Sequence, residues 1–448
     1  MKTKIIVSKF GGTSMGDYAA MMNAATISKE RTSSIVCVSA TSGTTDKLIQ
    51  IAKTAATGNM PECEKLIFQM KERHMNLLEQ VPAHGSESGN ILLAYFTELE
   101  LLAQGLTLLK ELTPRAYDLI LSFGERMSSV IFTEVVKSQL PGKDVQLLDA
   151  RTIIRTDSNF GRATPQIELI STAARMLKLD GNTVYVTQGF IGSDSDGHTT
   201  ILGRGGSDYS AALFAEGVEA DVLEIWTDVA GIATTDPRIV PEAKIISELS
   251  YAEAGEMAQY GAKILHPATI APAVRKNIPV FVGSTFAKDA AGTWIRASAE
   301  HKPAVRAITK RSDQALLTIT TPVMLNAYGF MSEIFGVFGR HRVSVDCVTT
   351  SEISVAVTVD KVVLDNEKFV RDLETVGKVN VETGYALISL IGNDLYNRSN
   401  LAKTIFSNIE EMNVRMMSLG ASPYNFNFLV KEADAKTCIQ TLHQNLIG

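Results

Sequence analysis

The sequence predicts an α/β fold on a mostly parallel sheet, followed by two small ferredoxin-like modules. Three observations carry that reading. Up to about residue 283, short β-branched runs (Ile35 to Val38, Val184 to Val186, Glu224 to Thr227, Pro279 to Val282) alternate with helical stretches such as Ile91 to Glu111. Several of those runs end in a loop of glycine and polar residues, which is where parallel sheets bind ligands. Beyond residue 303 one pattern occurs twice, about seventy residues apart.

Bulk properties bound the function. A chain of 448 residues is too long for one ordinary core, and 45% hydrophobic with 21% charged residues is the composition of a globular protein. The net charge of −6 argues against nucleic acid or an anionic membrane as partner. No long uninterrupted apolar stretch approaches the length of a bilayer span, and the start "MKTKIIVSKF" lacks a signal-peptide core, so a cytoplasmic location is expected. Cys37, Cys63, Cys347 and Cys438 are scattered, without metal-ligand spacing, and read as buried thiols.

Taken in order, the first strand is the apolar run Ile5, Ile6, Val7, and it leads into "SKFGGTS". Lys9, the pair Gly11 and Gly12, and the helix-opening Thr13 and Ser14 describe a phosphate cradle of backbone N–H groups and a cation. A tight turn with a snorkelling lysine is the alternative. The second strand ends in Ser39-Ala40-Thr41-Ser42-Gly43. "SFGERMSS" places Glu125 and Arg126 at the start of a helix, where Glu125 either favours the helix dipole or holds an ammonium group. Gln188-Gly189-Phe190 follows another strand. In "GRGGSDYSAAL" Arg204 precedes two glycines and Ser207 opens a helix, an arrangement suited to gripping a carboxylate. "WTDVAGIATTDPRI" reads as a strand ending in Thr227 and Asp228, then a long loop with Asp236 and Arg238. In "YGAKILHPATI", Lys263 and His266 precede Pro267, and a lone histidine there reads as a packed or capping residue.

A linker is expected near residues 285 to 303. Next comes a helix with Phe330, Ile334, Val337 and Phe338 on one face, a strand at Val343, and a strand in which Val355, Val357 and Val359 alternate. Ile405, Phe406, Val414, Ser422, Phe426, Phe428 and Val430 repeat that order. Cradles, cations and an acidic residue together are what phosphoryl transfer requires. No Ser-His-Asp set and no metal-ligand cluster stands out.

With these motifs in hand, the chain resembles the aspartate kinases of the amino acid kinase family. "SKFGGTS", "VSATSGTTDKL", "SFGERMSS", "QGFIGS", "HTTILGRGGSDYSA", "WTDVAGIATTDPR" and "GAKILHPATI" look like that family's successive motifs, and the trailing repeat, with "VSVDCVTTSEISVAVTVD", looks like its paired ACT domains. The resemblance implies a three-layer αβα kinase domain over residues 1–290 and ACT modules over 304–384 and 385–448. It implies ATP-dependent phosphorylation of aspartate to 4-phospho-aspartate by a monofunctional enzyme, the first step toward lysine, threonine and methionine, with ATP and Mg²⁺ as cofactors.

Carried over by position, the resemblance makes Lys9 and Asp208 catalytic, with Asp208 arranging the lysine. It assigns aspartate to Ser39, Thr45, Glu125, Arg204, Gly205, Gly206 and Ser207. The nucleotide falls to Lys9, Phe10, Gly11, Gly12, Thr227, Asp228, Ala233, Arg238, Lys263 and Ile264, with Ala233 standing where the family usually has an aromatic ring. Met324, Phe330, Ser344, Val345, Asp346, Ser351 and Glu352 would bind an effector, lysine by resemblance to lysine-sensitive members, with threonine left open. Ala327 stands where some relatives have a hydroxyl residue. A homodimer or dimer of dimers through the ACT modules is implied. A glutamate or acetylglutamate kinase and a non-catalytic amino-acid sensor are the competing readings.

Overall fold

The computed structural model describes residues 4–82, 84–261, 267–321 and 328–447. The chain divides into two compact units: residues 1–232, 245–251 and 265–299 form one, and 233–244, 252–264 and 300–448 form the other.

In chain order the first unit contains β1 (Ile6–Phe10), α1 (Tyr18–Arg31), β2 (Ile35–Val38), α2 (Thr44–Ala56), α3 (Met60–Glu79), α4 (Ser86–Leu109), α5 (Pro114–Gln139), β3 (Asp144–Leu148) and α6 (Ile167–Ala174). There follow β4 (Thr183–Gln188), the hairpin β5 (Ile191–Ser193) and β6 (Thr199–Ile201), α7 (Gly206–Gly217), β7 (Val222–Thr227) and β8 (Glu248–Ser250). Helix α8 (Tyr251–Gln259) carries the chain into the second unit, and α9 (Pro267–Arg275), β9 (Val280–Ser284) and β10 (Thr293–Arg296) return to the first. The sheet runs β3-β4-β2-β1-β7-β9-β10-β8, parallel except between β9 and β10.

Every residue of β1 is buried, as expected of a central parallel strand covered on both faces. Its alternation aims neighbouring side chains at different layers. Phe10 packs on Phe132 of α5, with ring centroids 6.1 Å apart, while Lys9 reaches Asp208 of α7. The parallel arrangement brings the carboxyl ends of β1, β2, β4 and β7 to one edge, with the glycine-bearing loops beyond them.

The second unit contains β11 (Val305–Thr320), α10 (Phe330–Arg340), β12 (Val348–Thr350), β13 (Ser354–Asp360), α11 (Glu367–Glu374), β14 (Lys378–Gly392), α12 (Leu401–Ser407), β15 (Met416–Ser418), β16 (Asn425–Lys431) and α13 (Ala435–Leu446). Its strands form one antiparallel sheet, β12-β13-β11-β14-β16-β15. Two cores lie along it. Leu317, Ile319, Phe330, Ile334, Val355, Val357 and Phe369 pack in one, and Ile388, Leu390, Ile405, Phe426, Phe428 and Ile439 in the other. The duplicated pattern thus folds as two modules sharing a sheet.

Three expectations are corrected. Strand β11 serves both modules, and Val305 and Ile308 pack in the second core, because sixteen residues are long enough to pass from one to the other. The expected linker contains β10, whose Trp294 packs on Phe281 at 5.1 Å. Residues 343–347 carry no regular strand, and β12 starts at Val348. By length and composition α4 is apolar enough to cross a membrane, with a mean hydropathy of 1.3 over its best stretch. Leu92, Phe96, Leu99 and Ala103 bury one side of it within the first unit, against α3 and α5.

Candidate active site

The long helix α5 starts at Pro114 behind the cap of Thr113, so Glu125 and Arg126 stand in its middle. The expectation of a helix start fails there, and with it the dipole reading of Glu125. The local reason is a good N-cap and a proline at N1 eleven residues earlier. Arg126 lies over the rings of Tyr95, at 4.2 Å, and Phe123, at 4.6 Å, and pairs with Glu98 at 3.0 Å, which packs α4 on α5. Its neighbour turns the other way. Glu125 is 4% exposed, and its Oε1 accepts from the Ala40 amide at 3.2 Å. A Cβ on Gly124 would stand 2.8 Å from the Ala40 Cβ, so only glycine lets the helix pass this close to the loop after β2. Oε2 is buried with no hydrogen-bond partner among the described residues. Burial pushes the Glu125 carboxyl up to about 8, against the opposing pull of the Ala40 N–H and the Lys9 charge.

Lys9 is 8% exposed, and its Nζ lies 2.6 Å from Asp208 Oδ1. Asp208 sits in the first turn of α7, behind Gly205 at φ 71°, so the first-turn N–H groups of that helix face the same region. A Cβ on Gly189 would come within 2.7 Å of Ser207, so glycine in the loop after β4 allows α7 to start there. Arg204, just before α7, is exposed and pairs with no acid among the described residues.

These groups share one cavity of about 500 Å³. Lys9, Ser39, Thr45, Glu125, Arg204, Gly205, Gly206, Ser207 and Asp208 all line it, with Tyr117, Leu121 and Phe190 adding apolar wall. It presents a buried carboxyl, an unpaired guanidinium, a lysine and a helix N-terminus. That set can hold an α-amino acid by both charged ends and stabilise an anion beside it.

The Gly11 amide donates to the Trp226 carbonyl at 3.1 Å, so the glycine pair abuts the end of β7, where the Thr227 hydroxyl donates to Asp228 at 3.1 Å. Ala233 and Arg238 belong to the segment that packs with the second unit. Val240 joins the second core, Thr234 bonds His443 at 2.8 Å, and Arg238 is held by Asp236 at 2.6 Å. Lys263, Ile264, His266, Met324 and Ala327 lie outside the described residues.

Of the effector positions, Phe330 is buried at the start of α10, Ser351 bonds Ser354 at 2.7 Å, and Ser344, Ser351 and Glu352 are exposed while Val345 is half-buried. Asp346 is paired with Arg311, which also holds Asp360 at 2.8 Å, and Asp346 Oδ2 is buried with no hydrogen-bond partner among the described residues. Burial raises the Asp346 carboxyl above its usual range, with Arg311 opposing.

Asp118 is a residue the sequence reading missed. It is fully buried in α5, one helical turn from cavity-lining Leu121, and accepts from the amides of Gly161, at 2.9 Å, and Ile201, at 3.0 Å. Burial raises its carboxyl to about 6. It ties two cavity-lining segments to α5, and no short motif marks it, because its partners lie 43 and 83 residues away. Among the described residues, Asp194, Asp196 and His198 form a metal-sized group, but Asp194 already accepts from the Asp196 and His198 amides and from Ser158, which accounts for the cluster as a hairpin turn.

The model of the amino acid kinase family matches residues 4–284, and an ACT-domain model matches 388–446. The chain belongs to the amino acid kinase family. Within it, the chain stands with the aspartokinases. It is 41% identical to the lysine-sensitive aspartokinase 3 of Escherichia coli over 99% of both chains, and 32% identical to the chloroplastic aspartokinase 1 of Arabidopsis thaliana over 98% of this chain and 79% of that one. Two crystal structures of E. coli aspartokinase III, each 40% identical and covered in full, superpose with TM-scores of 0.87 for the complex with aspartate and ADP (R-state) and 0.83 for the complex with lysine and aspartate (T-state).

Proposed function

We propose that this chain is an aspartate kinase: it transfers the γ-phosphoryl group of ATP to the side-chain carboxylate of aspartate, and lysine inhibits it. The observation that carries the reading is the pairing of Glu125 and Arg204 as lining groups of one cavity that also holds Lys9. Glu125 Oε2, buried and with no partner among the described residues, accepts the substrate ammonium, and the guanidinium of Arg204 takes the α-carboxylate. Likeness to an aspartokinase solved with aspartate and ADP supports the substrate pair.

The nucleophile needs no general base. A free aspartate side chain has a pKa of about 3.9 and is ionised at neutral pH. One of its oxygens attacks the γ-phosphorus as the bond to the bridging oxygen breaks and ADP departs. Catalysis is then alignment and charge stabilisation. Lys9 and the first-turn N–H groups of α7 supply it, and Asp208 fixes the lysine. Mg²⁺ fits this chain as an ion carried chiefly by nucleotide phosphates and water, since Asp228 is the exposed acid beside the cradle and no three-ligand protein group lies there among the described residues. It would spread the charge of the triphosphate.

Lysine sensitivity rests on the likeness to the lysine-sensitive enzyme and on the orphaned Asp346 Oδ2, which can accept an ammonium group. Pairing of ACT modules between two chains fits the short edge strands β12 and β15. The deciding experiment is ADP release with aspartate, glutamate and acetylglutamate in parallel. Turnover with aspartate alone is the expected result. Preference for either other acceptor assigns a different amino acid kinase, and silence with all three assigns a sensor.

A further inference from the structure

Arg73 of α3 makes contacts that the chemistry above does not use. Its Nη1 donates to the Ser42 carbonyl at 2.6 Å and its Nη2 to the Gly16 carbonyl at 3.0 Å. It pairs with no acid among the described residues, and it does not line the cavity. Gly16 closes the loop after β1, which carries the cradle of Gly11 and Gly12, and Ser42 belongs to the loop after β2, between cavity-lining Ser39 and Thr45. The loops also meet directly: the Ser39 amide donates to the Phe10 carbonyl at 3.1 Å, and a Cβ on Gly12 would lie 3.2 Å from the Ala40 oxygen.

His74, the next residue, supports the same loop from behind. Its Nδ1 is 2.7 Å from the Met70 carbonyl, which can only accept, so Nδ1 carries the proton and Nε2 accepts from the Thr41 hydroxyl at 3.2 Å. Thr41 in turn accepts from Thr44 at 2.5 Å. Burial holds His74 down to about 4, so the ring stays neutral and this polarity is fixed.

We propose that Arg73 is a positioning residue: its two-pronged guanidinium, backed by His74, sets the separation between the phosphate cradle and the aspartate loop, and therefore the alignment of carboxylate and γ-phosphorus. Its planar fork suits two carbonyls from different loops, and a lysine has one point charge to offer. A misplacement of about 1 Å between reacting groups costs on the order of 10²-fold in rate. Arg73 does not line the cavity, so the loss is expected to fall on kcat.

This inference rests on the kinase reading, so its test has two readouts. In the full chain, Arg73→Ala is expected to lower kcat about 30- to 100-fold while both KM values stay within about threefold, and millimolar guanidinium is expected to restore part of the rate. Arg73→Lys, which keeps the stem and the charge and is the safer variant for folding, is expected to fall between the two and to gain nothing from guanidinium. Hydrogen exchange gives the second readout, independent of turnover: residues 11–16 and 39–45 are expected to loosen together in both variants. A kcat within about twofold of the parent overturns the proposal, as does a loss confined to KM. Should the parent show no turnover with aspartate, the kinase reading falls, and exchange still decides the clamp: unchanged protection in either loop overturns it.

Discussion

Lys9 Nζ and Asp208 Oδ1 lie 2.6 Å apart, a cation and an acid from β1 and α7 meeting in the wall of the cavity. A lysine in a fully buried strand needs such a partner, because an isolated charge there is costly. The acid is supplied by the first turn of α7, the helix that also brings N–H groups to the cavity.

Replacing Lys9 by methionine is expected to lower kcat by about 10²- to 10³-fold, the usual cost of one transition-state donor. It also leaves Asp208 without its cation. Adding Asp208→Asn is expected to recover the melting temperature lost in Lys9→Met without recovering turnover. Thermal unfolding and steady-state kinetics on the two variants check this, and near-normal turnover in either removes Lys9 from the mechanism.

Glu125 has its pH dependence set by burial. Its carboxyl titrates at about 8 instead of 4.5, so in the empty cavity it is protonated at neutral pH and must ionise to hold an ammonium group. Aspartate affinity is therefore expected to rise with pH up to about 8, with a proton released on binding, measurable by calorimetry in buffers of different ionisation enthalpy. Stability moves the opposite way. Between 4.5 and 8 the folded chain keeps a proton that the unfolded chain has lost, so this group's contribution falls as pH rises. Glu125→Gln is expected to raise the melting temperature most near pH 8 and to raise KM for aspartate by about 10- to 100-fold.

Arg204→Ala is expected to raise KM for aspartate by a similar factor, about 1.5 to 3 kcal/mol for a charged hydrogen bond, while nucleotide affinity changes little. Its exposure and its lack of an acidic partner among the described residues mean that melting should not move. Nucleotide binding measured by titration separates the effects, and a loss confined to ATP removes the carboxylate role.

For lysine inhibition, the expected outcome is that Glu352→Ala raises the half-inhibiting lysine concentration about tenfold, with KM for aspartate unchanged in its absence. Truncating the chain near residue 300 is a poorer test, because residues 233–244 and 252–264 pack with the second unit and would lose their partners. Glu253 is bound to Arg306 at 3.0 Å, and Glu256 to Ser422 at 2.6 Å. Full activity of the parent in excess lysine removes the regulatory reading and leaves the kinase reading in place.

What the sequence by itself determined was whatever depends on near neighbours. The β-branched runs at Ile35 to Val38 and Glu224 to Thr227 became β2 and β7, and the apolar spacing from Phe330 to Phe338 became α10, because strand and helix periodicity is written within a few residues. Glycine loops marked the binding edge for the same reason, and the succession of motifs identified the family. Tertiary structure decided the rest. Glu125 lies in the middle of a helix and takes its raised pKa from burial, opposed by the Ala40 amide 85 positions away, an approach of α5 to that loop that Gly124 permits. Asp118 is defined by amides 43 and 83 residues distant, and Arg73 by carbonyls 57 and 31 distant. Asp346, an effector position by resemblance, pairs with Arg311, 35 positions away. Residues 233–244, continuous in sequence with the kinase motifs, joined the other unit because Val240 buries itself in the second core. Burial, charge pairing and loop placement depend on contacts between residues remote along the chain, and local pattern carries no record of those contacts.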